Sequence, residues 1–369
     1  MSSSLSKRLL ASLALLVAAA LLLARSGSAA SPPLVGRILP ADGGSVAGMR
    51  VYVRGASFSD SATVDSTGRF TVALPERLRG DSLELFTNAA DSAAIRYYPA
   101  LVRLFDEQLA AEQGVVLVPR EWTIPTGRFA GRTVRIDLDR AFRPVCDECT
   151  GFYRNLADGP SRGQVRTWPE EVFPLRVVFD REFSGASISA RDSTAFWRAV
   201  DEMEADLGAD LFRPARFADA LPVNDVTSND VIFVQIDPAM HMAGLGVTGT
   251  EGGTVTYGEV RVKSGSLLTG PEGTGLVSHE MLHALGFGHT CSWHTVMAVA
   301  ARCGGMSSDR LTEEDVAYAQ LARQVRGVQQ SRGARWGMEA ALAAAREIRS
   351  GRPLLPPVVP DTVVTRLEA

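Results

Sequence analysis

Apolar and polar positions change period along the chain, and those changes divide it. Between Pro32 and about Val118 the apolar residues come in short alternating runs: Val51-Tyr52-Val53, Ala62-Thr63-Val64, Phe70-Thr71-Val72 and Leu83-Glu84-Leu85-Phe86. Gly, Ser and Asp clusters separate them, which predicts a small sandwich of antiparallel strands with Asp65-Ser66-Thr67-Gly68 as a hairpin turn. From 119 to 167 the pattern thins. Trp122, Ile124, Phe129, Val134, Ile136 and Leu138 can supply strands packing against either neighbour, and Asp158 to Arg166 reads as loop. This connector belongs to one flank or the other, or is a propeptide that covers a cleft.

A second unit is expected over 168–330. Leu175 to Asp180 alternates like an outer strand, with Leu175, Val177 and Phe179 on one side. Phe196, Val200, Met203 and Leu207 recur at helical spacing opposite a line of acids, and Gly208 stands where a helix would stop. Val231 to Ile236 is almost continuously apolar, as a central strand covered on both faces would be. Gly244–Gly249 and Thr254–Val262 are further strands, joined by Thr250-Glu251-Gly252-Gly253, and Gly275–Leu285 is a helix with Val277, Leu282 and Leu285 toward the sheet. Leu311 to Val316 opens another helix, with Thr312 as its cap, acids in its first turn and Leu311 packing on Val316. The last segment, 331–369, predicts a helix from Arg335 to Arg349 and then an extended tail around Pro353, Pro356, Pro357 and Pro360. The fold class is α+β: an N-terminal antiparallel sandwich, then a twisted mixed sheet with helices.

Composition adds the compartment. At 369 residues, 46% hydrophobic and 22% charged, the chain has material for about two domains. Residues 1–30 read as a secretory signal: Lys7 and Arg8, an apolar run from Leu9 to Leu23, and small residues at Ser28-Ala29-Ala30, with cleavage after Ala30. The alternative is an uncleaved anchor, but the run is shorter than the roughly 20 residues that span a bilayer. With Lys7, Arg8 and Arg25 removed, the mature chain is more acidic than the formal −4 of the whole, which argues against nucleic acid as a partner. Cys146, Cys149, Cys291 and Cys303 are an even set in an exported chain, so disulfides are the default reading. Three connectivities are open. Cys291–Cys303 with Cys146–Cys149 is the preferred one, and a second metal site at Cys146-x-x-Cys149 would need two more ligands.

The candidate chemistry lies in one eleven-residue stretch, His279 to His289. Histidines four apart on a helix share a face, so His279 and His283 can hold one metal ion. Glu280 flanks that pair and can accept a proton from water. Gly286 can take positive φ, end the helix and bring His289 back as a third ligand, leaving the fourth position to water.

These residues fit His-Glu-x-x-His-x-x-Gly-x-x-His, the long zinc pattern of the metzincin metalloproteases, which the chain resembles most on its matrixin-like branch. Thr295-Val296-Met297 is similar to the methionine turn of that family. Val299 stands where other branches place a tyrosine ligand and where matrixins place a proline. The resemblance implies one catalytic Zn2+ held by His279, His283 and His289, Glu280 as general base, Met297 as an apolar floor, and a protein or peptide substrate. It further implies a substrate strand paired along Gly244–Gly249 and a specificity wall from Ala298 to Arg310. Residues Gly36 to Phe70 are similar to carboxypeptidase regulatory-like, or transthyretin-like, sandwiches, which implies a spacer, adhesion or folding role. His241 lacks a spacing partner and reads as a surface or hydrogen-bonded histidine; His294, between the third ligand and the methionine turn, reads as structural or solvated, with a hydrogen bond to substrate or to the transition state as the alternative. Two rival readings stay open: an exported binding module whose zinc is structural, and a zinc amidase acting on a non-peptide substrate of the cell envelope.

Overall fold

In the computed structural model, residues 32–350 are described except 76–82, 88–95, 106–107, 110, 143–151, 154–167, 181–186, 217–229, 252–253, 291–294, 299–307, 333–334, 337–340, 342 and 347–349. The expected leader, the proline-rich tail, His294 and all four cysteines lie outside the described residues. Among the described residues no helix is long and apolar enough to cross a membrane.

The N-terminal strands are β1 (Leu34–Pro40), β2 (Arg50–Arg54), β3 (Ser59–Thr63), β4 (Arg69–Val72), β5 (Leu83–Thr87), β6 (Leu101–Leu104) and β7 (Gln113–Leu117). One sheet runs β3-β2-β5-β6, and β7, β1 and β4 lie in a second. Alternation does the sorting: Val51, Val53, Phe70, Val72, Leu83 and Leu85 all turn into one shared core. The sandwich is not wholly antiparallel, because β1 pairs with β7 in parallel. Its predecessor β6 sits in the other sheet, so β7 arrives by a crossover, which does not impose the antiparallel direction a hairpin would. The Asp65–Gly68 turn forms, with the Asp65 carboxylate accepting from the Thr67 and Arg69 amides. It is a corner between sheets, since β3 and β4 belong to different ones.

The connector contributes a ribbon of β8 (Glu121–Thr123) and β9 (Thr133–Arg135), then a short helix α1 (Leu138–Phe142). The second unit follows as β10 (Leu175–Phe179), α2 (Ala190–Leu207), β11 (Phe212–Ala215), β12 (Val231–Ile236), β13 (Gly244–Glu251), β14 (Thr254–Val262), α3 (Gly265–Thr269), α4 (Gly273–Ala284), α5 (Glu313–Arg332) and β15 (Arg335–Trp336). Its sheet has the order β11-β10-β12-β14-β13, parallel throughout except for β13, which runs antiparallel to β14 at the edge. Every residue of β12 is buried, as its apolar run predicts.

Two further expectations are corrected. Strand β10 is not the outer strand: β11 lies beyond it, and Val178 on its other face packs with Val231 and Phe233. Phe212-Arg213-Pro214-Ala215 has too little alternation to announce a strand, but its proline suits an edge position. The helix expected from Arg335 instead begins as β15, which adds to the sandwich beside β7, because an available sheet edge outweighs the weak local preference for helix. Helical residues recur later, with Ala341, Ala344 and Ala345 buried.

Helix α2 is delimited as its sequence suggests. Ser189 and Asp192 form a reciprocal capping box, Gly208 ends the helix at φ 64°, and Phe196, Val200, Met203 and Leu207 are buried. The buried Asp206 carboxylate holds Arg310 with two bonds at 2.7 and 2.8 Å and lies 3.3 Å from Arg128 of the connector. Trp122, Ile124, Ile136 and Leu138 of the connector, and Tyr98, Val116 and Val118 of the sandwich, share one core with α2, α4 and α5.

Candidate metal centre

Helix α4 lies against the sheet with Val277, Met281 and Leu282 fully buried. Its end is fixed by two bonds of the kind that close a helix on a left-handed residue. The Gly286 amide reaches the His283 carbonyl at 2.9 Å, and the Phe287 amide reaches the Leu282 carbonyl at 3.0 Å. Gly286 sits at φ 106°, which disfavours any side chain there. The buried Trp168 indole donates to the Ala284 carbonyl at 2.8 Å, satisfying another acceptor at the helix end.

Beyond that turn the chain doubles back, and the three histidines converge. The Nε2 atoms of His279, His283 and His289 lie 3.0–3.1 Å from one another. The opposite nitrogens are held by carbonyls: His279 Nδ1 is 2.7 Å from the Val296 oxygen, and His283 Nδ1 is 2.8 Å from the Phe287 oxygen. A carbonyl only accepts, so Nδ1 must donate in both rings, and the neutral ring then presents a bare lone pair at Nε2. Burial keeps the His279 imidazole below its ordinary pKa, with the Val296 bond opposing, which favours that neutral ring. Lone pairs facing one another at this distance repel, and a cation between them removes the repulsion. The donor set fits a tetrahedral zinc, whose nitrogens at bonds of about 2.0–2.1 Å stand about 3.3 Å apart. Among the described residues no fourth His, Cys, Asp or Glu joins the group.

Glu280 points away from solvent against β13. It is 4% exposed, and burial raises its carboxyl to about 8, opposed by a bond from the Gly246 amide. A cation at the adjacent imidazoles would draw it back toward the ionised form. The glycines of β13 permit this approach. A Cβ on Gly244 would stand 2.4 Å from Glu280 Oε1, and one on Gly246 would stand 2.4 Å from both the Glu280 carbonyl and His283 Cβ.

Met297 is fully buried beside Val296, and its carbonyl takes the Thr290 amide at 3.0 Å, tying the segment after His289 to this turn. The support reaches back to α5. Asp315 Oδ2 accepts from the Val296 amide, the Thr312 amide and the Thr312 hydroxyl, each at 2.9 Å. Thr312 is a cap, as expected, its hydroxyl oxygen accepting from the Asp315 amide at 3.4 Å, and Asp315 links that cap to the carbonyl-bearing residue that orients His279. Sequence reasoning missed the parts that Asp315 and Trp168 play here, and read Gly244 and Gly246 as a strand and substrate edge without their close approach to α4. The Thr312-x-x-Asp315 spacing announces a cap, but nothing local announces its second task. His241 is exposed in the turn before β13 and is not among the converging nitrogens.

No model of a known protein family matches the chain, and no curated protein is significantly similar to it.

Proposed function

We propose that the chain is an exported zinc metalloendopeptidase of metzincin-like, matrixin-type design, which hydrolyses peptide bonds with Glu280 as general base. The observation that carries this reading is the convergence of three Nε2 atoms within 3.0–3.1 Å, with the buried Glu280 next in the chain to the first of these histidines. Imidazole donors suit zinc, and three protein ligands with an open position are the arrangement of catalytic sites more than of structural ones. Bound there, zinc supplies positive charge that polarises a carbonyl and lowers the pKa of water toward ~7.

The remaining work falls to this chain's residues. Glu280 takes the proton of the attacking water on its carboxylate and returns it to the departing amine. Low exposure around Glu280 and His283 strengthens every charge interaction there. Strand β13, at the edge of the sheet and packed against Glu280, can accept an extended peptide through its main chain, a mode that tolerates many sequences. The N-terminal sandwich serves as a spacer or adhesion module on this reading.

The test is metal analysis of residues 31–369 followed by a peptide-library digest, wild type beside Glu280→Ala. Both proteins should hold one zinc, and turnover should fall by about 10²–10⁴-fold in the variant. Equal cleavage by the two removes Glu280 from its role, and cleavage confined to non-peptide amides replaces the substrate class.

A further inference from the structure

Phe152 and Tyr153 occupy the stretch that the sequence leaves as linker or cover, yet they pair with the segment between the second and third histidines. Gly288, the residue before His289, donates its amide to the Phe152 carbonyl at 2.8 Å. Tyr153 forms an antiparallel bridge with Phe287, whose own carbonyl orients His283. The Phe152 ring lies 5.0 Å from Phe287 and 5.4 Å from Tyr318. Tyr153 is 1% exposed; its hydroxyl donates to the Tyr318 carbonyl at 2.7 Å and its amide to the Ala141 carbonyl at 2.8 Å. The segment being held has glycine at 286 and 288, so on its own it would have many conformations to lose on ordering.

We propose that Phe152 and Tyr153 are positioning residues for the metal centre, and that this pair is a permanent part of its support and not of a removable cover. The proposal rests on the three-histidine reading above. The paired backbone clamps Phe287 and Gly288 onto α5, which fixes the acceptor for His283 and the direction from which His289 enters. Outer partners that orient metal-binding histidines typically change affinity by about 10–100-fold when lost. Excision of everything before Trp168 would then dismantle the site instead of unmasking it.

The experiment titrates the metal-free full chain with zinc against a competing chelator. Wild type is compared with Tyr153→Ala, Tyr153→Phe and Tyr98→Ala. Tyr98 is also a buried tyrosine, but it lies in the sandwich and donates to the Ile136 carbonyl of the connector, not to α5 or to the segment between the histidines. Both alanine variants should melt earlier without metal. Only Tyr153→Ala should bind zinc more weakly, by about 10–100-fold, and Tyr153→Phe, which keeps the ring, should recover most of the loss. Unchanged affinity in Tyr153→Ala overturns the proposal. A wild-type chain that takes up no zinc overturns it together with the metal centre, whereas a zinc-binding chain that cleaves no peptide sinks only the proposed activity.

Should Tyr153→Ala fail to fold, a protease site placed between 154 and 167 of the full chain gives the same answer. After cleavage the two fragments should co-elute and hold zinc as the intact chain does. Release of the N-terminal fragment from a 168–369 piece with undiminished affinity overturns the proposal.

Discussion

Asp315 carries an asymmetric load: one carboxylate oxygen takes three donors, while the other, Oδ1, is buried with no hydrogen-bond partner among the described residues. Burial raises this carboxyl to about 7 against the pull of the Val296 and Thr312 bonds. The folded pKa therefore lies above the unfolded value of about 4, so the folded state binds the extra proton between them. The Asp315 contribution to the stability of the metal-free protein should therefore fall as pH rises from about 4 to about 7. A neutral amide in place of the carboxyl has no proton to lose in this range, so Asp315→Asn should make the slope of stability with pH shallower in denaturant titrations run across the window, leaving the part that the buried Glu280 carboxyl contributes in the same direction. Asp315→Ala strands the Val296 amide and should cost roughly 1–3 kcal/mol at any pH in the range. None of this is visible in Thr312-x-x-Asp315 alone, because Val296 is a contact across the tertiary fold. The histidine triad and Gly286 were legible for the opposite reason: helix periodicity and one left-handed residue are local facts that fix how His279, His283 and His289 meet.

Between elements, the contact that matters most is the one from β13 to α4. Gly244 and Gly246 are two apart on an edge strand and so face the same helix, one against the end of a side chain and the other against main chain. The two positions should respond differently to alanine. Gly244→Ala meets the carboxylate of Glu280, which can swing aside, and should lower turnover while zinc stays bound. Gly246→Ala meets the Glu280 carbonyl and His283 Cβ, which cannot move without the helix, and should cost about 1–3 kcal/mol together with zinc affinity. Paired metal analysis and thermal melts of the two variants check this. The apolar run of β12 showed its central place in the sequence, but the glycines of β13 read only as a strand and a substrate edge, since a close approach to a helix leaves no mark on hydrophobic pattern. Pairing misled the reading at β10 and at Arg335 too, where β11 and β7 supplied neighbours that the local sequence does not name.

Across the whole molecule, sandwich, connector and second unit are tied at several points. Tyr98 and Val116 share a core with α5, β15 joins the sandwich sheet, and Arg346 pairs with Asp139 of α1. Calorimetry should accordingly show one cooperative transition, and two well-separated ones would contradict the shared core. Zinc at 100 times its dissociation constant should add about 2.7 kcal/mol to that single transition. A chelator should remove the gain, while His283→Ala should show little gain to remove.

Gly286 at φ 106° has a stereochemical consequence. This dihedral favours the mirror-image hand of amino acid, so a semisynthetic chain with D-alanine at 286 should bind zinc nearly as the parent does, whereas L-alanine should splay the imidazoles and lose the ion.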